Sequence, residues 1–197
     1  MTVKKYTLVF LLLMSSPSWS DVNNRTNTLT LKAEIVSGTC DITASDVDLG
    51  DLNINAFSAG GNWAGLSATS PGNVATKPLQ VKARCDSGSA EKTLILSFQP
   101  QKAQLSGNQI FPNEYTGPTG RVKATSAAEN IGVVVFYEST NVLNKDNTSA
   151  VNFTRYIGSE SSYSEYTFQA RYQIINPAKP VTPGGVLSQV KISVSYK

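Results

Sequence analysis

The stretch that most constrains the fold is residues 186–197, where polar and apolar side chains alternate without a break from Gln189 onward. A period of two places the two sets on opposite faces of an extended strand, so one face is meant for burial. A long strand of this kind is a liability at a sheet edge unless another strand covers it. The set that shares the inward face is Val186, Ser188, Val190, Ile192, Val194 and Tyr196.

A second alternating stretch lies near the other end of the chain, between Thr28 and Cys40. Its polar residues separate an apolar set that occupies every second position, which predicts a strand with one apolar face. That face must be buried either in its own chain or in another one. The apolar set is Leu29, Leu31, Ala33 and Ile35.

Residues 1–20 have the pattern of a secretory signal peptide. Lys4 and Lys5 precede a short apolar run, and small residues at Ser18 and Ser20 suit cleavage before Asp21. The run is shorter than the roughly 20 helical residues that span a bilayer. We therefore expect an exported chain that is not embedded in a membrane. A retained membrane anchor is the alternative interpretation.

The composition argues against nucleic acid as a partner. Without Lys4 and Lys5 the 17 basic residues become 15, against 14 acidic ones, so the mature chain is nearly neutral. No cluster of lysine and arginine remains that would favour nucleic acid or an acidic membrane surface. The remaining 177 or so residues are enough for one domain with a substantial core.

The chain has 2 cysteines and no histidine. In an oxidising compartment we expect one disulfide, Cys40 to Cys85, rather than two free thiols. The lack of histidine removes histidine-based catalysis and histidine metal ligands. Serine–lysine dyads and paired carboxylates remain formally possible, but no spacing singles one out. We predict a protein that is not an enzyme and has no cofactor and no metal.

About seven strands and no convincing amphipathic helix predict an all-β sandwich of immunoglobulin-like type. The strands between the two ends are predicted at residues 47–54, 79–85, 92–99, 131–137 and 166–172, and the apolar run 131–137 is expected to be covered on both sides. The alternation in 47–54 breaks at Gly50-Asp51, which predicts a bulge or kink there. Residues 56–76 and 100–126 are predicted as long loops. Trp63 in the first loop is either a ligand platform or a residue that pins the loop to the core.

Several features together resemble a subunit of a bacterial chaperone–usher fimbria, a pilin. In the N-terminal half they are the signal peptide, the alternating stretch at 28–36, and Gly38-Thr39-Cys40 followed by Cys85 at a sequence separation similar to that between the two cysteines of the family. In the C-terminal half they are residues 168–172, the Pro183-Gly184-Gly185 turn, and the final strand that ends on Tyr196. No single motif is specific, but their order and spacing cover essentially the whole chain.

The resemblance implies an incomplete immunoglobulin-like sandwich that lacks its last strand. Residues 21–36 would be an N-terminal donor-strand arm, and residues 37–197 the pilin domain with a groove beside its last strand. A periplasmic chaperone first fills the groove, and the arm of a neighbouring subunit then replaces it, by strand addition at an outer-membrane usher. The implied donor residues are Leu29, Leu31, Ala33 and Ile35, and the implied acceptor and chaperone contacts are Val190, Ile192, Val194, Tyr196 and the Lys197 carboxylate.

The same resemblance implies export through the periplasm to a fimbrium at the cell surface, where the subunit supports adhesion. The long loops favour a minor or adaptor subunit over the major one. Ala33 departs from the family, in which glycine is common at this place in the arm, and this leaves the donor register open.

Two alternatives remain beside this interpretation. The arm is an ordinary first strand that pairs within its own domain, or the chain is a self-sufficient secreted lectin-like module. In the second case Trp63 and the tyrosines between residues 156 and 172 would stack on a carbohydrate.

Overall fold

The computed structural model describes residues 28–35, 40–57, 66–68, 74–86, 90–101, 103–104, 106–120, 122–158 and 162–197, with the backbone alone at residues 32–35. The predicted signal peptide, the polar segment 21–27, the connector 36–39 and Trp63 lie outside these residues.

Within the described residues the chain forms two β-sheets and a single short 3-10 helix. The first sheet has the strand order β3-β1-β11-β5-β9, and the second has the order β2-β4-β10-β7-β6, with β8 paired to β7. The predicted all-β sandwich is confirmed. The elements are β1 (Thr28–Ile35), β2 (Cys40–Ala44), β3 (Val47–Asp48), the 3-10 helix (Ile54–Phe57), β4 (Lys77–Cys85), β5 (Lys92–Pro100), β6 (Phe111–Pro112), β7 (Ile131–Tyr137), β8 (Thr140–Asn141), β9 (Val151–Tyr156), β10 (Ser164–Ile174) and β11 (Leu187–Tyr196).

The core lies between the two sheets and is built from the alternating apolar positions. In β4 and β5 every second side chain is fully buried, while the positions between are partly or fully exposed. The inward faces that the period of two predicts are therefore confirmed for both strands. The buried residues of these two strands are Leu79, Val81, Ala83, Cys85, Leu94, Leu96 and Phe98.

The strand β7 is covered on both faces, as its unbroken apolar sequence predicts. Val133 and Val135 point into the core between the sheets. Val134 and Phe136 point outward and pack under Ile110, together with Leu66 and Ala68. The second sheet is thus covered on its outer side by part of the long loop 56–76.

The predicted strand at residues 47–54 is wrong in its extent, because β3 ends at Asp48. Gly50 adopts a left-handed backbone conformation with φ 77°, which glycine enters at little cost and which ends an extended strand. The Gly50 amide donates to the Asp48 carboxylate at 2.8 Å, and the Gly50 carbonyl accepts from the Tyr172 hydroxyl at 2.8 Å. The chain then enters the 3-10 helix at Ile54.

The disulfide between Cys40 and Cys85 is present, which confirms the predicted pairing. The two cysteines are direct partners on the neighbouring antiparallel strands β2 and β4, and both are buried. In the chain-entropy model, closing a loop with a sequence separation of 45 residues contributes about 4 kcal/mol. The bond also holds Cys40, the first residue of β2, against β4.

The described part of loop 56–76 is held by a buried arginine. The Arg171 side chain, on β10, is fully buried, and its Nε and Nη2 atoms donate to the Ser67 carbonyl at 3.3 and 3.0 Å. Its Nη1 atom donates to the Gln173 side chain at 2.6 Å, and the guanidinium lies 5.6 Å from the centre of the Phe136 ring. Burial lowers the pKa of Arg171 to about 10. Alternation predicts that Arg171 points away from the core, and it does, but the loop encloses it.

Candidate functional site

The last strand, β11, lies in the middle of the first sheet rather than at its edge. One of its sides pairs antiparallel with β5, from Val190 opposite Pro100 to Tyr196 opposite Leu94. Its predicted inward residues face the core, and Val190, Ile192 and Val194 are at most 1% exposed. Tyr196 is half-buried against the same core. The residues predicted to border a groove therefore lie on one continuous apolar face.

The other side of β11 is occupied by β1 of the same chain. The two strands run parallel through eight paired positions, from Thr28 opposite Leu187 to Ile35 opposite Val194. Leu29 is fully buried and Leu31 is 7% exposed, so the apolar face of β1 enters the core. The backbone register places Ala33 and Ile35 in the same inward series.

We refer to the space between β3 and β11, which β1 fills, as the groove. The predicted donor and acceptor residues are brought together here, but within one chain. The interpretation that the arm pairs inside its own domain thus describes this structure. Donation of the arm to a second chain stays a prediction.

The two halves of β1 are held differently among the described residues. Thr28 and Leu29 also pair with Asp48 and Val47 of β3, so the first half has a strand on both sides. The Leu31 amide donates to the Asp46 carboxylate at 3.2 Å. From Lys32 onward β1 pairs with β11 alone. The first half is therefore the stronger anchor.

The short connector accounts for the parallel orientation. Residues 36–39 separate Ile35 from Cys40 and reach at most about 18 Å. From Cys40 the chain runs along β2 to Val47, seven residues on, which spans about 23 Å when extended. Val47 lies opposite Leu29, beside the start of β11. An antiparallel β1 would place Ile35 at that end, and the closer Cys40 is to the other end, the less the connector can reach it; the parallel orientation instead brings Ile35 towards Cys40.

A cavity of about 350 Å³ adjoins the groove where β1 enters the sheet. The Thr28 amide donates to the Val186 carbonyl at 3.3 Å, and Val186 is one of the residues that line the cavity. Its apolar lining also includes Ile54 and Phe57 of the 3-10 helix, together with Ile131. The cavity thus lies beside the start of β11, and its lining comes mainly from the segments 51–57 and 181–186 and from the second sheet rather than from β1 or β11.

Loop 100–126 packs onto the start of β11 and fixes it. The Asn113 side-chain carbonyl accepts from the Leu187 amide at 2.9 Å, and its amide group donates to the Gly185 carbonyl at 2.9 Å. Leu187 also packs against a small apolar cluster that includes Tyr115 and Val122. The sequence analysis does not single out Asn113, because an asparagine in a polar loop carries no periodic signal.

The Lys197 backbone continues the pairing of β11 with β5. Its amide donates to the Thr93 carbonyl at 3.1 Å, and the Thr93 amide donates back to the Lys197 main-chain oxygen at 2.9 Å. Lys197 itself is exposed. A role for its carboxylate in binding a basic partner remains a prediction.

A polar cluster lies on the outer side of the second sheet, next to the disulfide. The Tyr163 hydroxyl donates to the Asp41 carboxylate, and Arg84 Nη2 lies 3.0 Å from Asp41 Oδ2. The Arg84 guanidinium is also 4.5 Å from the centre of the Tyr163 ring. The hydrogen bond from Tyr163, followed by the interactions with Arg84, holds the pKa of Asp41 below its usual value.

The lowered pKa of Asp41 predicts a pH dependence of stability. A carboxyl group whose pKa is lower in the folded chain contributes stability above its unfolded value of about 3.8, and this contribution is lost as the pH falls through the folded value. We expect the difference in unfolding free energy between wild type and Asp41→Asn to shrink as the pH is lowered from about 6 to about 3. Chemical denaturation across this range measures it.

Tyr163→Phe is the matched control, since it removes the main cause of the shift and keeps the carboxylate. We expect it to weaken the acid dependence in the same direction as Asp41→Asn. Parallel stability curves for wild type and Asp41→Asn would contradict the assignment.

The predicted carbohydrate platform receives no support from the described residues. Trp63 lies outside them, so neither interpretation of Trp63 is tested. The tyrosines between residues 156 and 172 make contacts within the chain. Tyr156 bonds the Cys85 backbone, Tyr163 bonds Asp41, Tyr166 stacks on Phe153 with ring centres 3.9 Å apart, and Tyr172 bonds Gly50.

Two further observations concern metal ions and membranes. In the described part of the chain there is no cluster of three or more histidine, cysteine, aspartate or glutamate side chains suited to a metal ion. Nor do these residues contain a helix with the length and hydrophobicity needed to cross a membrane.

The chain is similar to known fimbrial proteins over most of its length. A family model described as Fimbrial protein matches residues 29–197 of the chain. The chain is also similar to the uncharacterized fimbrial-like protein YadK of Escherichia coli (strain K12), with 28% identity over 176 residues that cover 85% of this chain and 83% of YadK. The family match begins within β1 and runs through β11, so it includes both sides of the groove.

Proposed function

The chain belongs to the fimbrial protein family and is a structural subunit of a surface fimbria, and we propose how the subunits of that fimbria are joined. Each subunit donates its N-terminal arm to the groove of a neighbouring subunit. Residues 21–36 of one subunit fill the groove of the next, with Leu29, Leu31, Ala33 and Ile35 as the inward-facing donor residues. Val190, Ile192, Val194 and Tyr196 border the groove that accepts them.

The observation that carries this proposal is the fit of β1 to the groove. Eight backbone positions pair with β11, and Leu29 is fully buried in the core. Every copy of the chain has the same groove, so an arm that fits its own groove also has the chemical features to fit that of a neighbour. Exchange of an identical element between copies is a low-cost route to assembly. Main-chain bonds supply affinity, and alternate side chains set the register.

We further propose that a periplasmic chaperone occupies the groove before assembly and that an outer-membrane usher presents the subunit for exchange. A chain with an open groove exposes an apolar face and an unpaired strand edge, both of which promote aggregation. The exposed position of Lys197 supports a contact between its carboxylate and basic residues of the chaperone. Through its place in the fimbria the subunit would support adhesion.

A minor or adaptor position in the fibre is supported by loop 100–126. This loop covers the outer side of β11 around Leu187 and adds bulk that a compact repeating subunit does not need. The stoichiometry of the subunit in purified fimbriae, measured by quantitative mass spectrometry, tests this part. Equal or greater abundance than every other subunit would contradict it.

Removal of residues 21–36, with the predicted signal retained, tests the exchange itself. We expect the truncated subunit to be exported but to lose at least about tenfold in its incorporation into fimbriae, since nothing links it to the next groove. Quantitative mass spectrometry of sheared fimbriae measures the change. Thr30→Ala is the control, because it alters the outward face of the arm alone and should leave incorporation near the wild-type level. Normal incorporation of the truncated chain would overturn the proposal.

A further inference from the structure

The arm of this chain lies in its own groove, and we propose that this arrangement is a self-inhibited state of the subunit. While β1 pairs with β11 of the same chain, the subunit neither accepts a neighbour's arm nor donates its own. The inference rests on the proposed exchange of arms and adds a regulatory step to it. Release of the arm from its own groove must precede occupation of that groove by the proposed chaperone or by a neighbour's arm.

Acceptance is blocked because β11 has a strand on both sides. Its pairing with β1 covers Leu187 to Val194, and its pairing with β5 covers the other side from Val190 to Tyr196. An incoming strand thus finds the edge of β11 already occupied along eight residues. It has to displace β1 rather than add to an open sheet.

The opposite edge of the same sheet, formed by β9, is poorly suited to accept an arm in place of the groove. There, the pairing of β9 with β5 shifts register between Lys92 and Leu94. Arg155 in β9 has a left-handed backbone with φ 61°, which interrupts the extended conformation. Irregularities of this kind disfavour the addition of another strand. The groove is therefore the side of this sheet suited to accept an arm.

Donation is blocked because the apolar face of the arm is buried. Leu29 is fully buried and Leu31 is 7% exposed, so the residues that would enter a neighbour's groove are already in use. The first half of β1 is also held between β3 and β11, whereas its second half pairs with β11 alone. Release should accordingly be limited by the segment that contains Leu29 and Leu31.

A disulfide across the groove tests the inference directly. Thr30 and Gln189 are partners in the parallel register, and their buried neighbours place both side chains on the outer face of the sheet. Paired strand positions have the Cα separation that a disulfide requires. We expect the mature chain with Thr30→Cys and Gln189→Cys to form this bond within the monomer on oxidation, next to the native Cys40–Cys85 bond. Peptide mapping by mass spectrometry identifies both bonds.

The probe is a fluorescein-labelled peptide of residues 21–36, and its binding is followed by fluorescence anisotropy. We expect the oxidised double variant to bind the peptide at least about tenfold more weakly than each single variant with its thiol alkylated. The matched control carries Ser97→Cys and Ser193→Cys, which are partners in β5 and β11. That bond links two strands that stay together during exchange, so peptide binding should be unchanged.

Three results would overturn the inference. They are the absence of the Thr30–Gln189 cross-link in the monomer, equal peptide binding by the locked and unlocked chains, and no peptide binding by the chain that lacks residues 21–36. The outcome is separable from that of the proposed function. If the locked chain rejects the peptide while the truncated subunit still enters fimbriae normally, self-inhibition of the groove stands and arm donation falls.

Discussion

Removal of residues 21–36 is expected to lower the free energy of unfolding of the isolated chain by about 3–6 kcal/mol, because it uncovers the core beneath β1. Burial of a leucine contributes about 1.5–3 kcal/mol, and both Leu29 and Leu31 are buried. The truncation also leaves one edge of β11 without its backbone partner over eight positions. Guanidinium unfolding of the full-length and truncated mature chains measures the difference.

The missing strand should be replaceable by a peptide. A peptide of residues 21–36 at about 100 times its dissociation constant should restore about 2.7 kcal/mol to the truncated chain. The same peptide with Leu29→Ser and Leu31→Ser is the control, since it retains the backbone and loses the buried side chains. Equal midpoints for the full-length and truncated chains, with no response to the peptide, would show that β1 contributes little to the fold.

Ile192→Asp is the single substitution for which we expect the largest loss, about 4 kcal/mol or more of unfolding free energy. Ile192 is fully buried on β11, opposite Phe98 of β5 and Ala33 of β1. A carboxylate at this position faces the apolar core from the wall of the groove. Any chain that folds should also bind the arm peptide and the proposed chaperone more weakly.

Ser195→Asp is the matched control for Ile192→Asp, because it adds the same charge to the opposite face of the same strand. Ser195 is only half-buried, so we expect a change of about 0.5 kcal/mol or less. Ile192→Val, which removes one methylene group, should cost about 0.5–1.5 kcal/mol and keeps a folded chain available for binding assays. Similar stability for Ile192→Asp and Ser195→Asp would mean that the inward face of β11 has been wrongly assigned.

The sequence predicts strand identity well where one face of a strand is buried and the other exposed. The inward residues of β4, β5 and β11 follow from a period of two, since a slip of one position would turn every apolar side chain outward. It predicts β7 from a different signal, an unbroken apolar run that only a strand covered on both sides tolerates. The disulfide follows from the presence of just two cysteines in a chain that is predicted to be exported.

The local sequence pattern did not predict the conformation where a contact with a residue distant in sequence determines it. The apolar residues at 47–54 suggest a strand with a bulge or kink at Gly50-Asp51, but the strand ends before Gly50, whose carbonyl accepts a hydrogen bond from the Tyr172 hydroxyl of the other sheet. Arg171 occupies an outward position in the alternation, yet it is buried because Ser67, in a loop of unremarkable composition, lies over it. Neither contact leaves a periodic trace in the sequence.

The sequence by itself determined that residues 28–35 form a strand with one apolar face and that the last strand needs cover beside it. It did not determine which chain supplies that cover. For the isolated chain the tertiary structure decided this: Cys40 is fixed to Cys85, only four residues separate Cys40 from β1, and β1 lies parallel to β11 of the same chain. Alternation indicates which side chains are buried. The length of the connector 36–39 and the position of the Cys40–Cys85 disulfide decide beside which strand they are buried.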